Sequence, residues 1–285
     1  MKPSPKKIRP AQKQKKQPGV EDKMHPQPDF MPEEKNRKLE NKVAIITGGD
    51  SGIGKAVALL FAKEGAKIVL SYLNENKDAK ETAQLIEKYG SEVLVIKGDI
   101  SAEAHCKSIV SQTIKKFKKI DIVVNNAAVQ YPQESLEKIT AKQLHKTFET
   151  NIYPHFYLTK AALKYLKKGA NIICTTSVTA YRGSHHLIDY AATKGAIVAF
   201  VRSLSASLAE KGIRVNGVAP GPIWTPLIPS SFNSKKVAEF GSDTPLQRAG
   251  EPNEVAPSYL FLASDDASFM TGQVLHPNGG EIINS

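Results

Sequence analysis

The stretch KVAIITGGDSGIGKAVALLFAKEG (residues 42–65) decides the fold. It opens with an apolar run, and after the glycine-rich turn apolar residues recur at three- and four-residue intervals, which predicts a strand, a turn and a helix. Gly48, Gly52 and Gly54 fall in this turn. Glycine lets the backbone approach a phosphate closely, and the free N–H groups at a helix start attract negative charge. Glycines alone would indicate an ordinary turn, but after a first strand they predict a site for the pyrophosphate of a dinucleotide.

Short apolar runs continue to alternate with amphipathic stretches along the rest of the chain, which is the pattern of βα units around a parallel sheet. The chain is therefore predicted to be α/β, with a single Rossmann-like, doubly wound domain and a seven-stranded parallel sheet covered by helices on both faces. The predicted strands are 42–47, 67–72, 92–97, 121–126, 170–176, 213–218 and 273–277, and the predicted helices are 53–64, 75–89, 102–118, 141–167, 188–210 and 252–263.

Residues 1–40 differ in composition from the rest of the chain. Residues 1–20 carry seven basic side chains and no acidic one, within a formal net charge of +11. A Lys-, Gln- and Pro-rich segment buries too little apolar surface to offset its ordering entropy. We therefore predict a basic, largely disordered N-terminal extension over 1–40 and a dinucleotide-binding catalytic domain over 41–285. Binding of nucleic acid through the basic tail remains an alternative function.

Several protein classes are disfavoured by what the sequence lacks. No apolar run is long enough for a membrane span, and no apolar stretch follows the basic N-terminus as in a secretory signal. Cys106 and Cys174 are the only cysteines, and their spacing fits neither a zinc site nor a disulfide framework. We expect a cytoplasmic protein without a metal.

A candidate catalytic pair lies in DYAATKGAIVAF (189–200). Tyr190 and Lys194 are four residues apart, so on a helix they project from one face. An ordinary tyrosine has a pKa of about 10, and a neighbouring ammonium lowers it toward the range needed for proton exchange. Ser177 lies thirteen residues earlier, at the end of a predicted strand, where its hydroxyl can donate to a substrate oxygen. Without that context, the pair would indicate only an exposed helix face.

Motifs in a fixed order carry a family resemblance. They are TGxxxGIG at 47–54, NNAA at 125–128, Ser177 followed by YxxxK, and PGPIWTP at 220–226. Together they resemble the short-chain dehydrogenase/reductase family, although Ala128 stands where the family usually has glycine. QPGVE (17–21) and MHPQP (24–28) resemble the N-terminal extension of bacterial general-stress or uncharacterised oxidoreductases.

The resemblance implies hydride transfer between a nicotinamide cofactor and an alcohol or carbonyl substrate, in a homotetramer. Tyr190 would be the acid/base and Lys194 would tune it, while Ser177 would bind the substrate oxygen and Asn151 would hold a water. Asp99 would contact the adenine, and Ile223 and Thr225 the nicotinamide carboxamide. The full set of implied cofactor contacts is Gly48, Asp50, Ser51, Gly52, Ile53, Gly54, Tyr72, Leu73, Asp99, Ile100, Asn126, Ala127, Ala128, Tyr190, Lys194, Pro220, Gly221, Ile223 and Thr225.

Coenzyme choice depends on the end of the second strand, SYLNEN (71–76). A 2′-phosphate needs a basic partner, and none lies there, whereas Asp50 and Glu75 add negative charge nearby. We therefore expect NAD rather than NADP. Residues 227–247 are predicted to form a mobile lid over a partly apolar substrate pocket. His185 and His186 belong either to a plain solvent-exposed loop or to the entrance of that pocket. A dinucleotide-binding stress or redox sensor without turnover is a further alternative.

Overall fold

The computed structural model describes residues 37–283. Most of the predicted extension, residues 1–36, therefore lies outside the described residues. Residues 37–40, the last four of the predicted extension, belong to the packed body. Leu39 is fully buried, and its N–H donates to the carbonyl oxygen of Glu64 at 3.0 Å.

Seven parallel strands form one sheet in the order β3-β2-β1-β4-β5-β6-β7, which confirms the predicted fold class. The order reverses direction next to β1, and ligands of such sheets bind beyond the carboxyl ends of the strands at that point. The strands are β1 (Val43–Thr47), β2 (Lys67–Tyr72), β3 (Val93–Lys97), β4 (Ile122–Asn125), β5 (Asn171–Thr175), β6 (Arg214–Val218) and β7 (Val274–Leu275).

Helices cover both faces of this sheet. Three of them, α6, α8 and α9, are short segments that the sequence pattern did not predict, and the last two lie in the predicted lid. The helices are α1 (Gly52–Lys63), α2 (Asn76–Lys88), α3 (Glu103–Phe117), α4 (Ala141–Asn151), α5 (Tyr153–Leu163), α6 (Thr179–Arg182), α7 (Ile188–Leu208), α8 (Leu227–Ser231), α9 (Ser234–Ala238) and α10 (Pro252–Ala263).

The segment 141–167 is predicted as one helix that Pro154 disturbs locally, and the structure divides it into α4 and α5 at Ile152. Pro154 has no N–H to donate to the preceding turn, which favours a break in the helix at this point. The His155 N–H, which in a continuous helix would donate to Asn151, donates instead to the carbonyl oxygen of Ile152 at 3.0 Å. This interruption gives α4 an end beside the catalytic candidates.

Alternate residues of β1 pack into two hydrophobic cores, one on each face of the sheet. Ala44 and Ile46 pack in the cluster under α1 and α10, whereas Val43 and Ile45 pack in the cluster under α3, α5 and α7. All four side chains are fully buried, as expected for a sheet covered on both faces. Within residues 37–283, no helix is long and apolar enough to cross a membrane.

Candidate active site

A cleft of about 690 Å³ lies at the carboxyl ends of the strands. Every cofactor contact predicted from the sequence lines it, with the single exception of Gly54. Ser177 also lines it, whereas Asn151 lies behind the wall. Segments that are far apart in the sequence are thus brought to one surface by the parallel sheet.

The start of α1 provides the expected phosphate cradle. Gly52 has φ +51°, and a Cβ there would meet the Thr225 side chain at 3.1 Å. A Cβ on Gly54 would fall well inside van der Waals contact with the Gly48 carbonyl oxygen, so Gly54 serves close packing behind the cleft. The N-cap residue, Ser51, makes no side-chain capping bond. The first N–H groups of the helix are thus left for an anion, which fits the pyrophosphate of a dinucleotide.

The NNAA segment joins the ends of β1 and β4. The Thr47 hydroxyl accepts hydrogen bonds from the N–H groups of Asn126 and Ala127, at 2.9 and 3.1 Å. The Asn126 amide donates in turn to the Thr47 carbonyl oxygen at 3.1 Å. These bonds hold Ala127 and Ala128 against the cleft, and the methyl group of Ala128 is accommodated on its wall.

Carboxylates are frequent in the cleft lining near the ends of β2 and β3. Asp99 accepts from the Ser101 N–H at 2.9 Å and lies 3.4 Å from the Lys146 ammonium. Burial alone would raise the pKa of Asp99, but these bonds from Ser101 and Lys146 hold it below its ordinary value. Burial raises the pKa of Asp50, and the nearby carboxylates add to this effect.

Tyr190, Lys194 and Ser177 meet on the wall of the cleft. The Lys194 ammonium lies 5.3 Å from the centroid of the Tyr190 ring and donates to the carbonyl oxygen of Thr175 at 2.8 Å. Ser177 accepts from the Thr179 N–H at 3.2 Å, which fixes its side chain at the end of β5. The arrangement predicted from YxxxK is therefore present, with Thr175 as an additional partner.

The predicted direction of the tyrosine pKa is wrong for the protein chain alone. Burial raises the pKa of Tyr190 to about 12, and interaction with the Ser177 hydroxyl only partly opposes this. Burial also lowers the pKa of Lys194 to about 7. The physical reason is that both groups lie in a desolvated wall, and the amine is directed to the Thr175 carbonyl oxygen. Tyr190 is thus a neutral proton donor at pH 7.

Asn151 is completely buried and clamps the loop after β4. Its amide oxygen accepts from the Val129 N–H at 2.9 Å, and its amide nitrogen donates to the Val129 carbonyl oxygen at 2.9 Å and to Thr193 at 3.2 Å. The water-holding role implied by the resemblance stays a prediction. The interrupted helix at Pro154 supports it, because that break frees backbone carbonyls next to Asn151.

Apolar and polar side chains both line the cleft near Tyr190. The lid contributes Leu227, Ile228, Phe232 and Phe240. His186 lines the cleft, whereas His185 is exposed and packs against His186 with ring centroids 3.9 Å apart. Sequence reasoning missed four further polar residues of the lining, since nothing in their spacing marks them: Gln130, Thr179, Arg182 and Ser184.

His155 supplies a stability prediction. Its side chain is buried one turn after Asn151, and burial lowers its pKa to about 3, with the Lys194 ammonium adding to the effect. Between pH 6.5 and about 3 the unfolded chain therefore binds a proton that the folded chain does not, so stability is lost as pH falls. We expect the His155→Gln variant to lose less stability on acidification than the wild type, by about 1 kcal/mol per pH unit.

Urea unfolding at pH 6.5, 5.5 and 4.5 measures this slope. The exposed His185→Gln variant is the control, and it should follow the wild type. Equal pH slopes for the wild type and both variants would contradict the prediction.

No metal site is found among the described residues, which contain no group of three or more His, Cys, Asp or Glu side chains suited to an ion. Both cysteines are buried, and burial raises the pKa of each thiol to about 12. They are therefore poor nucleophiles at neutral pH.

Comparison with known proteins agrees with this geometry. The family described as Enoyl-(Acyl carrier protein) reductase matches residues 48–281. The chain is 61% identical over 279 residues to the uncharacterized oxidoreductase YhxC of Bacillus subtilis, with 98% of each protein covered. It is 52% identical over 283 residues to NADPH-dependent aldehyde reductase 1, chloroplastic, of Arabidopsis thaliana, with 96% of this chain and 98% of that protein covered.

Solved structures give the same result. A short-chain dehydrogenase from Burkholderia cenocepacia in complex with NADP aligns with a TM-score of 0.80 at 28% identity, covering 86% of this chain and 99% of that one. A glucose/ribitol dehydrogenase of the short-chain type from Brucella melitensis aligns with a TM-score of 0.80 at 36% identity, covering 88% and 100%.

Proposed function

Because this chain belongs to the short-chain dehydrogenase/reductase family, we propose that it is an NAD(P)-dependent oxidoreductase that interconverts an alcohol and a carbonyl compound. The observation that carries this proposal is the meeting of Ser177, Tyr190 and Lys194 on the wall of the cleft into which the uncapped start of α1 opens. A phosphate cradle and a proton donor thus share one cavity.

A bound nicotinamide dinucleotide would supply or accept the hydride. The protein's own residues manage the proton: Tyr190, neutral at pH 7, donates it to the substrate oxygen during reduction. The Ser177 hydroxyl stabilises the charge on that oxygen, and the Lys194 ammonium stabilises the phenolate that Tyr190 becomes. The Lys194 ammonium then passes a proton to that phenolate, and water held near Asn151 would replace the proton that Lys194 has lost.

We infer that the substrate is a small polyhydroxylated or otherwise polar carbonyl compound. Polar side chains of the cleft lining would suit substrate hydroxyls: Gln130, Thr179, Arg182, Ser184 and His186. The lid contributes mostly apolar side chains and would cover the substrate during the reaction. The names of two similar proteins, an aldehyde reductase and a glucose/ribitol dehydrogenase, support the same substrate class.

A screen of sugar aldehydes, polyols, aliphatic aldehydes and apolar ketones tests this function, with nicotinamide absorbance as the readout. Turnover of sugar aldehydes or polyols above that of apolar ketones of similar size is expected. Dinucleotide binding without turnover of any compound would instead support a redox or stress sensor. A homotetramer and a cytoplasmic location remain predictions.

We further propose that NAD is preferred over NADP. Asp50, Glu75 and Asp78 all line the adenosine side, and burial of Asp50 near the other two carboxylates makes added negative charge unfavourable. Two observations oppose this preference: the plant relative is named as NADPH-dependent, and the similar structure from Burkholderia cenocepacia is a complex with NADP. Measuring kcat/KM with NAD and with NADP decides between the two coenzymes. A higher kcat/KM with NADP than with NAD would reject the proposal.

Adding one positive charge should change this ratio. Leu73 follows β2, lines the cleft and is 49% exposed, so an arginine there can reach a ribose phosphate. We expect Leu73→Arg to shift the kcat/KM ratio about tenfold toward NADP, the effect of one charged hydrogen bond. Leu136→Arg, at a 63% exposed residue outside the cleft lining, adds the same charge and should leave the ratio unchanged. If the kcat/KM ratio is the same in Leu73→Arg and Leu136→Arg, the 2′-position of the ribose does not lie beside residue 73.

A further inference from the structure

A row of buried and half-buried polar side chains joins α4 to the helix that carries Tyr190. Gln143, Thr147 and Asn151 are four residues apart on α4 and therefore share one face. They meet Asp189 and Thr193, four residues apart on α7. The contacts are Gln143 Nε2 to Asp189 Oδ2 at 3.0 Å, Thr147 Oγ1 to Asp189 Oδ2 at 2.8 Å and Asn151 Nδ2 to Thr193 Oγ1 at 3.2 Å.

Asp189 is the centre of this row. Only 3% of the residue is exposed, and its second carboxylate oxygen, Oδ1, accepts from the Tyr190 N–H at 2.9 Å in the first turn of α7. A buried carboxylate is tolerated only when it is hydrogen-bonded, and the start of a helix favours its charge. The carboxylate therefore ties the backbone of Tyr190 to Gln143 and Thr147 of α4.

The same network reaches the substrate side of the cleft. Gln143 also donates to the Tyr131 carbonyl oxygen at 3.0 Å and accepts from the Gln133 amide at 2.6 Å. The Gln133 N–H donates to the His186 carbonyl oxygen at 2.9 Å, and the His186 ring lies 3.3 Å from the Gln133 carbonyl oxygen. Since His186 lines the cleft, a continuous chain of hydrogen bonds links a substrate-facing loop to the turn that carries Tyr190.

We propose that Asp189 is a positioning residue, which fixes the position of Tyr190 relative to α4 and to the loop that carries His186. The proposal rests on the proposed function, because it assigns to Tyr190 the proton transfer. Asp189 would act through the first turn of α7, and the dinucleotide end of the cleft would not depend on it.

The Asp189→Asn variant replaces one of the two carboxylate oxygens by an amide NH2, which then faces either the Gln143 and Thr147 donors or the Tyr190 N–H. Two donors then oppose each other, and the first turn of α7 loses its tie to α4. We expect kcat to fall about 10- to 100-fold, as for a misplaced catalytic group, with the dinucleotide Kd changed less than about twofold. Adding Gln143→Glu restores an acceptor opposite the new amide and should recover part of kcat.

Fluorescence titration with NADH and NADPH measures the Kd, and hydrogen exchange of the peptide covering 188–194 measures the first turn of α7 directly. Faster exchange there in Asp189→Asn is expected. Glu149→Gln is the matched control, since by helical periodicity residue 149 lies on the face of α4 opposite the row. It should leave kcat and exchange unchanged.

Wild-type kcat in Asp189→Asn, or equal losses of kcat and dinucleotide affinity, would overturn the proposal. If that variant does not fold, Gln143→Met at a half-buried position replaces it: a lower kcat with unchanged Kd supports the role, and an unchanged kcat overturns it. Failure of the proposed function is separately visible as absence of turnover in the wild type. The exchange comparison still decides the role of Asp189 in that case.

Discussion

Replacing Tyr190 with phenylalanine should lower kcat by about 10²- to 10⁴-fold, which is the usual contribution of a general acid or base. The ring stays and only the hydroxyl is lost, so the buried wall around Lys194 keeps its packing. Because the phosphate cradle at α1 is separate from the phenol, the dinucleotide Kd should change less than about twofold. Steady-state kinetics and fluorescence titration of the same preparation measure both quantities.

Tyr181→Phe is the matched control. Tyr181 packs against His276 with ring centroids 4.7 Å apart and does not line the cleft, although burial raises its pKa as well. Its loss should leave kcat within about twofold of the wild type. Undiminished turnover in Tyr190→Phe would reject the assignment of Tyr190 as the acid/base, whatever the control does.

The sheet and the phosphate cradle could be predicted from the sequence because their signals are local. A strand such as KVAIIT is apolar on both faces, and glycines 48, 52 and 54 follow it at once. The parallel topology then places the ends of all strands on one edge, so residues near 50, 99, 126, 190 and 223 line the same cleft. The resemblance to uncharacterised bacterial oxidoreductases is confirmed by YhxC.

The polar side chains of the cleft lining and the hydrogen bonds between α4 and α7 could not be predicted, because they depend on contacts between distant segments. Gln143 and Asp189 are 46 residues apart in the sequence and meet only because α4 and α7 pack side by side. The raised pKa of Tyr190 was missed for a related reason. A four-residue spacing indicates that two side chains share a helix face, but it does not tell how deeply both are buried or where the amine points.

Replacing Lys194 with methionine should reduce activity and increase stability together. The residue is 1% exposed, and burial lowers its pKa from 10.5 to about 7. Between those values the unfolded chain holds a proton that the folded chain has released, so the stability of the wild type rises with pH by about 1 kcal/mol per unit. Methionine fills a similar volume without this cost, although it leaves the Thr175 carbonyl oxygen without its donor, a loss of about 1 to 3 kcal/mol.

The Lys194→Met variant should therefore be more stable than the wild type at pH 7, by about 2 kcal/mol, and this advantage should shrink by pH 9. Its kcat should fall about 10²-fold or more, because the phenolate of Tyr190 loses its supporting charge.

Urea unfolding at pH 7 and pH 9, below the range where tyrosines titrate, measures the stability advantage of Lys194→Met. Lys160→Met, at an exposed position of α5, removes the same charge and should show no pH-dependent advantage. A Lys194→Met protein that is less stable than the wild type at pH 7, or whose advantage grows with pH, would show that the amine is charged and satisfied in the folded wall.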